Sequence, residues 1–369
     1  MEIQRKYDMQ TKTAHYANRP ALRGGALALI AAVLFGISTP LVQFFGRGVG
    51  SFTTAALLYA GAGVIGALLT RRVDREARVT RSDGRRLALV ALFGAAIGPV
   101  ALAWGLQHTS GMGASLMLTL EALFTVLLAR MLYRETMDLR VWIAVLLLFL
   151  GAVLLVLDQM PSPDSFEGGV PMLGLLAVVV ATAAWGIDNT VSRALADRDP
   201  GQVVMIKASL GAVATALLGF LFGESFPTWI AAFGLLAVGA TGYGLSLRFY
   251  LLAQRSFGAG RTGSVFAFAP FIGVLFAMAL GDRSASFGLA AGGVLMLSGV
   301  VLHLMESHGH EHAHHALEHE HAHRHDDGHH DHSHSDVEAW PRSHSHRHQH
   351  HATRHTHAHT PDVHHEHSH

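Results

Sequence analysis

Four ionisable side chains stand inside long apolar runs of this sequence: Glu121, Asp188, Lys207 and Arg248. At the centre of a bilayer one charged group costs about 2.5–3.5 kcal/mol on insertion scales. Such residues therefore face a protein interior, and they mark a solute path, a proton relay or a structural pair. Glu121 sits deepest in its run, where a carboxyl can contact a solute or carry a proton. As a structural acid it would instead bond to a neighbouring helix, with Thr119 or Thr125 as local partners. Asp188 and Lys207 come from consecutive runs joined by a short loop, so an ion pair between them is the first expectation. A gate or a solute contact is the alternative. Asn189 points about 100° around the helix from Asp188 and shares its neighbourhood. Arg248 lies near the end of its run. It is expected to snorkel towards the interface, with an anionic solute as the competing use of its guanidinium.

A second chemistry is concentrated at the C-terminal end. Imidazoles recur as H-x-H at His308, His310, His312, His314, His315, His319, His321, His323, His325, His329, His330, His332 and His334. In an extended chain residues i and i+2 share one side, about 6.5–7 Å apart. Flexing brings imidazoles and adjacent carboxylates around one ion, and neutral imidazole suits Zn²⁺, Ni²⁺, Co²⁺ and Cu²⁺. Three uses compete: buffering or sensing metal, titrating near pH 6.5, or none beyond a tolerated extension. With so little apolar content the tail is expected to be disordered without metal.

The composition separates two regions. The chain has 369 residues, 50 % hydrophobic and 15 % charged, with no cysteine. Soluble domains carry about 25 % charge, which argues against a soluble enzyme. The formal charge of zero is a cancellation: residues 1–305 carry +7, and residues 306–369 carry −7 together with 25 of the 28 histidines. Nothing in this pattern suggests nucleic-acid binding. Without cysteine there are no disulfides, thiolate nucleophiles or Cys-type metal sites. Neither a phosphate-binding glycine loop nor a nucleophile–base constellation is present, so no enzymatic activity and no required cofactor are expected.

A bilayer core about 30 Å thick needs roughly 20 apolar residues per helix. Ten such runs occur, at 25–44, 52–70, 87–106, 112–132, 140–157, 172–192, 203–222, 229–254, 262–280 and 286–304. Lys and Arg alternate between the connections, 19 on one side against Arg47 and Arg283 on the other. Positive loops stay cytoplasmic, which places both termini inside and loop 158–171 outside. Trp104 and Trp229 then fall near outer ends, and Tyr133 and Trp142 near inner ends, as interfacial aromatics do. Glycines four apart (Gly94 and Gly98, Gly219 and Gly223, Gly288 and Gly292) read as close helix packing. So does the kink at Gly242, Tyr243 and Gly244, with exposed carbonyls as the alternative there. Met112 and Met117 read as core filler. No histidine lies in the interior of a run; His108 follows the third and His303 stands at the end of the last.

The halves echo each other. LFGISTP at 34–40 aligns with AWGIDNT at 184–190, and LEALFTVLLA at 120–129 aligns with FAPFIGVLFA at 268–277. Five spans per half is an odd number, so the second half must begin on the opposite face, giving inverted repeats. On these residues the chain resembles the drug/metabolite transporter superfamily, of the EamA type built from two five-span repeats. Span four keeps Leu120, Glu121 and Phe124 and ends in Glu135, but Ala122 stands where the family has proline. Span nine keeps Pro270, has Ala269 where the acid would be, and ends in Asp282. Trp185 and Gly186 are also family-like. The His-rich tail, together with Trp185, Gly186, Asp188 and Asn189, is similar to a subgroup with W-G-x-D-N in span six.

The resemblance implies an all-α membrane protein: ten transmembrane helices as two inverted five-helix repeats, plus a disordered His-rich C-terminal tail. Its parts would be a cytoplasmic N-terminal segment 1–23, a first repeat 24–160, an outer loop 161–171, a second repeat 172–305 and a cytoplasmic tail 306–369. It implies a secondary transporter in the cytoplasmic membrane, an exporter of a small solute by alternating access. Glu121, Asp188, Asn189, Lys207, Arg248, Trp185 and Pro270 are the candidate substrate and coupling residues. The expected partners are the lipid bilayer, a small-molecule substrate and transition-metal ions on the tail. A homodimer stays open. The rivals are a transporter of transition metal or metal chelate whose tail collects cargo, and a membrane-anchored metal sensor or store.

Overall fold

The protein is seen in a computed structural model that describes residues 2–70, 77–133, 139–158, 160, 170–195, 198–257, 259–304, 309–313, 317–323, 344–350 and 354–358. In lipid the backbone has no water to bond, so a spanning chain must satisfy its polar groups internally. All ten apolar runs accordingly fold as helix. Eight helical stretches are long and apolar enough to cross a membrane, and the shorter apolar helices Ala269–Ala279 and Phe287–His303 complete the set.

The helices are α1 (Glu2–Phe45), α2 (Ser51–Leu69), α3 (Gly84–Ala91), α4 (Gly98–His108), α5 (Gly111–Met117), α6 (Leu120–Tyr133) and α7 (Leu139–Asp158) in the first half. The second half has α8 (Val170–Ser192), α9 (Pro200–Leu221), α10 (Trp229–Val238), α11 (Ser246–Phe257), α12 (Ala259–Phe266), α13 (Ala269–Ala279) and α14 (Phe287–Leu304). α1 extends back to Glu2, well before its apolar run.

The same irregularities recur at the same place in both halves. Span three joins α3 to α4 through a π-helical stretch, Leu92–Ile97, and span eight joins α10 to α11 through another, Gly239–Leu245. Span four breaks between α5 and α6, and span nine between α12 and α13. Proline accounts for two of them. Pro99 opens α4 and cannot donate back into the preceding turn. Pro270 does the same at the start of α13. At the break in span four the bonds tighten to i→i−3: Thr119 N–H donates to the Leu116 carbonyl at 2.9 Å, and Glu121 N–H to that of Leu118 at 3.1 Å.

The most extensive helix contacts all join one half to the other: α2 along α9, α7 along α14, α1 along α11 and α13, and α8 against α4 and α6. The halves interdigitate. Large apolar side chains such as Leu146, Phe149, Val213, Leu217 and Val294 stay exposed, as lipid contact requires.

Polar ties fasten both ends. At the arginine-poor end α9 and α13 each finish on a glycine at positive φ, Gly223 (68°) and Gly281 (98°), followed at once by an acid. Glu224 accepts from Phe52 N–H at 3.1 Å and Thr53 N–H at 2.7 Å, capping α2 of the other half. Asp282 accepts from Met112 N–H at 3.1 Å, capping α5. At the arginine-rich end Arg198 pairs with Asp83 at 3.0 Å, Asp199 N–H donates to the Ala77 carbonyl at 2.8 Å, and Val79 N–H donates to Gln202 Oε1 at 2.9 Å. These bonds clamp the connection after span two to the connection after span six.

The tail departs from the expectation of no regular structure. Its described residues form four short strands, β1 (Gly309–Ala313), β2 (Leu317–His323), β3 (His344–His350) and β4 (Arg354–Ala358). They pair antiparallel, β1 with β4 and β2 with β3. A backbone ladder needs no apolar core, which is how so polar a segment can pair at all. His310, His312, His319, His321 and His323 lie on these strands with their side chains outside the described residues. His308, His314, His315, His325, His329, His330, His332 and His334 lie outside them altogether, as does Glu135.

Asp282 provides a test of the end ties. Burial alone would raise its carboxyl pKa. Hydrogen bonds from the Ser284 hydroxyl and N–H, and from Met112 and Gly111 N–H, outweigh that and hold it below the usual carboxylate value. A depressed pKa gives stabilisation that is complete above the unfolded value, about 3.9, and is lost as pH falls through the folded one. Asp282→Ala should lower the thermal midpoint of the detergent-purified protein at pH 7 by the equivalent of about 1 kcal/mol. The gap should shrink below about pH 4; a gap that does not vary with pH would contradict this role.

Candidate functional site

The break in span four puts Glu121 in the first turn of α6, facing α8. There Asn189 donates its amide Nδ2 to Glu121 Oε1 at 2.6 Å. Asp188, one residue earlier and a quarter-turn around α8, faces the other way. It accepts from Lys207 Nζ of α9 and from the Ser192 hydroxyl at 3.2 Å. Asp188 and Lys207 are both buried, 5 % and 4 % exposed, so their pairing is protected from water. One turn before Asp188, Trp185 donates its indole N–H to the Gly94 carbonyl at 3.1 Å, and the Tyr59 hydroxyl donates to that same oxygen. The π stretch of span three is where this carbonyl meets both donors.

Two glycines read from the sequence as packing turn out to make the site possible. A Cβ on Gly94 would lie 2.2 Å from the Asp188 carboxylate, and one on Gly98 would lie 2.8 Å from Trp185 Nε1. Any side chain there would displace the acid or the indole. Gly186 does likewise for span four: its Cβ would meet Phe124 at 2.7 Å.

An aromatic cluster adjoins these groups. Tyr243, inside the π stretch of span eight, lies 5.5 Å from Tyr59, 6.4 Å from Trp185 and 6.0 Å from Phe35, ring centre to ring centre. Phe35 continues to Phe266 at 5.3 Å, and Phe266 to Tyr250 at 5.0 Å. Tyr59, Tyr243 and Tyr250 are all electrostatic neighbours of Glu121. The hydroxyls of Tyr243, Ser115 and Thr39 are buried without a hydrogen-bond partner among the described residues. Of these rings only Trp185 was a functional candidate from the sequence. The only signals were the GYG interruption around Tyr243 and the Trp185–Gly186 pair.

The structure thus brings together Glu121, Asn189, Asp188, Lys207 and Trp185. It leaves two candidates apart. Arg248 lays its guanidinium against Gly201 at the start of α9, Nη1 3.3 Å from where a Cβ would be, so it snorkels to the arginine-rich end. Pro270 breaks span nine and carries no polar group towards Glu121. Met112 and Met117 are fully buried. Among the described residues no three His, Asp or Glu gather as a metal-binding group.

Among the described residues two cavities open at the arginine-poor end. The larger, about 740 Å³, is lined by Gln43, Arg47, Thr54, Gln107 and His108 among others. The smaller, about 410 Å³, shares Gln43, Arg47 and Ser110 and reaches Asp282. Neither includes Glu121, which lies deeper.

The pattern of the EamA-like transporter family matches residues 22–157 and matches again over 172–305. The chain belongs to the EamA-like transporter family. It is 28 % identical over 295 residues to a protein of Methanothermobacter thermautotrophicus named as an uncharacterized transporter, covering 75 % of this chain and 85 % of that one. A solved crystal structure shares the fold with a TM-score of 0.56 at 20 % identity, covering 75 % of this chain and 95 % of the other.

This EamA-like protein is therefore a multi-pass membrane transporter, and its buried ion pair has a measurable cost when broken. Lys207→Met leaves Asp188 buried beside no cation and should destabilise the protein by about 3–5 kcal/mol. Adding Asp188→Asn should recover most of that loss, because Asn can still bond Ser192. The thermal midpoints of wild type, single and double variants check this. A double variant no better than the single would show that the charge pairing is not what holds α8 to α9.

Proposed function

We propose that the protein is a secondary transporter that exports a small solute across the cytoplasmic membrane by alternating access, with Glu121 as the coupling or substrate carboxylate. The observation that carries this reading is the hydrogen-bonded chain Glu121–Asn189 next to Asp188–Lys207, which ties span four to spans six and seven. It crosses between the halves at the depth where a solute must change sides. The arginine-rich end is clamped, and both cavities open at the arginine-poor end. With positive loops inside, that arrangement faces outward. The cationic end and both termini are then cytoplasmic.

In this mechanism a protonated Glu121 remains hydrogen-bonded to Asn189, whereas an ionised one demands a counter-charge. Solute and proton therefore compete for one carboxyl, and the competition links their movements. The inward-facing form requires the Asp83–Arg198 clamp to open and the caps on Glu224 and Asp282 to tighten or hold. The His-rich tail would bind Zn²⁺, Ni²⁺, Co²⁺ or Cu²⁺ in the cytoplasm through its H-x-H repeats. Passage of bare metal ions through the body is the weaker reading, because the described interior offers an amide, one ion pair and one further carboxyl rather than a set of metal ligands.

Cells overproducing the protein should release a solute that cells lacking it retain. Glu121→Gln, present at equal level, should reduce that efflux and its dependence on the proton gradient by about tenfold or more. Full gradient-driven efflux in the variant would remove Glu121 from the mechanism. Removing residues 306–369 should abolish retention of the purified protein on immobilised nickel while leaving efflux of an organic solute intact. Efflux lost together with the tail would instead indicate that the tail delivers the cargo.

A further inference from the structure

We propose that the solute bound beside Glu121 is a monovalent organic cation, an ammonium group carrying an apolar or aromatic body. The inference rests on the reading of Glu121 as the transport site and names what that site would select.

Hydrogen-bond accounting gives the first reason. The ammonium, amide and indole donors around the site are already engaged. Asn189 Nδ2 serves Glu121, Lys207 Nζ serves Asp188, and the Tyr59 hydroxyl and Trp185 indole both serve the Gly94 carbonyl. A carboxylate or phosphate entering here would find, among the described residues, no cation beyond Lys207, already paired with Asp188, and only neutral hydroxyls such as those of Ser115 and Thr39 as donors. What the site offers a solute is an acceptor: the Glu121 carboxyl, whose Oε1 takes the Asn189 amide N–H.

Charge gives the second reason. Asp188 and Lys207 neutralise each other. Glu121, when ionised, is left as a single negative charge inside the membrane span with an amide as its one hydrogen-bond partner among the described residues. A group of one positive charge offsets it, whereas an anion would double the cost and a neutral solute would leave it unmet.

The surrounding surface gives the third. Phe35, Tyr59, Trp185, Tyr243, Tyr250 and Phe266 form one continuous cluster with neighbouring ring centres 5.0 to 6.4 Å apart. A cation is attracted to ring faces within about 6 Å, and the attraction rises when the site is dry. At this spacing one ammonium can lie near two or three rings while its apolar body replaces ring–ring contact. The rings come from spans one, two, six, eight and nine, so a cation gathered among them and Glu121 of span four touches helices of both halves.

The test uses the full-length protein in lipid nanodiscs and three probes of nearly equal shape: phenethylammonium, 3-phenylpropionate and 3-phenylpropionamide. Phenethylammonium should bind with a Kd at least about tenfold below those of the other two. Glu121→Gln should remove that preference. Tyr243→Leu should weaken ammonium binding several-fold and Tyr243→Phe should restore it, because the phenyl face is kept; this separates the role of the ring from a folding defect. Equal or tighter binding of the propionate or the amide would overturn the proposal, and so would an ammonium affinity indifferent to Glu121→Gln. If phenethylammonium fails to bind while Glu121→Gln still abolishes efflux, the transport site stands and the cationic substrate class falls. If Glu121→Gln alters neither, both fall.

Discussion

A carboxylate inside a membrane span has to be given partners by the protein, and the interior of this bundle is arranged around that demand. Glu121 and Asp188 sit on different helices at similar depth, where two ionised acids side by side would repel strongly. The arrangement separates their partners. Lys207 answers Asp188 with a full charge, while Asn189 answers Glu121 with a dipole. Because Asp188 and Asn189 are adjacent in sequence, one quarter-turn of α8 distributes the two roles in opposite directions. Rigidity in α8 is therefore a condition for the site, and Trp185 supplies some of it by anchoring to the Gly94 carbonyl one turn away.

The irregular helices follow from the same demand. An uninterrupted α-helix offers its neighbours side chains only. A π stretch or a break also offers backbone groups and allows closer approach. Span three uses its π stretch to present Gly94 to Tyr59 and Trp185, and span eight uses its own to place Tyr243. Recurrence of these features in both halves ties them to the repeat rather than to local accident. Since the halves interdigitate, opening either end must slide helices of one half along helices of the other. Glycine-lined contacts tolerate such sliding better than contacts between large interlocked side chains.

Much of this was legible in the chain itself. Long apolar runs with alternating arginine content give spans and order, because lipid punishes any other backbone. Glu121, Asp188 and Lys207 announced themselves as charges in apolar surroundings. Arg248 did so too, and its reach to Gly201 follows from having a long side chain near a helix end. The glycines and, Trp185 apart, the aromatics were not legible, for a physical reason. Glycine four residues from glycine looks the same whether it admits a helix or a carboxylate, and Phe or Tyr in a membrane run looks the same facing lipid, core or solute. Only the tertiary contacts distinguish Gly94 against Asp188 from Gly292 against Leu155. The paired strands of the tail escaped notice because composition argues against a core and says little about backbone ladders.

The two ends differ in chemistry, and that difference bears on how the protein switches. At the arginine-poor end carboxylates cap helix N-termini across the halves, contacts that typically contribute about 0.5–2 kcal/mol each. At the arginine-rich end a partly exposed ion pair and two backbone-directed hydrogen bonds do the same work, each contributing about 0.5–1.5 kcal/mol. Neither set is strong enough to lock the protein, and both can be offset by a few kcal/mol of differential binding, the amount that shifts a two-state population by orders of magnitude. In the proposed cycle a solute that bridges Glu121 and the ring cluster would act on helices of both halves at once. Its binding energy would then go into the relative position of those helices, the coordinate that decides which end opens.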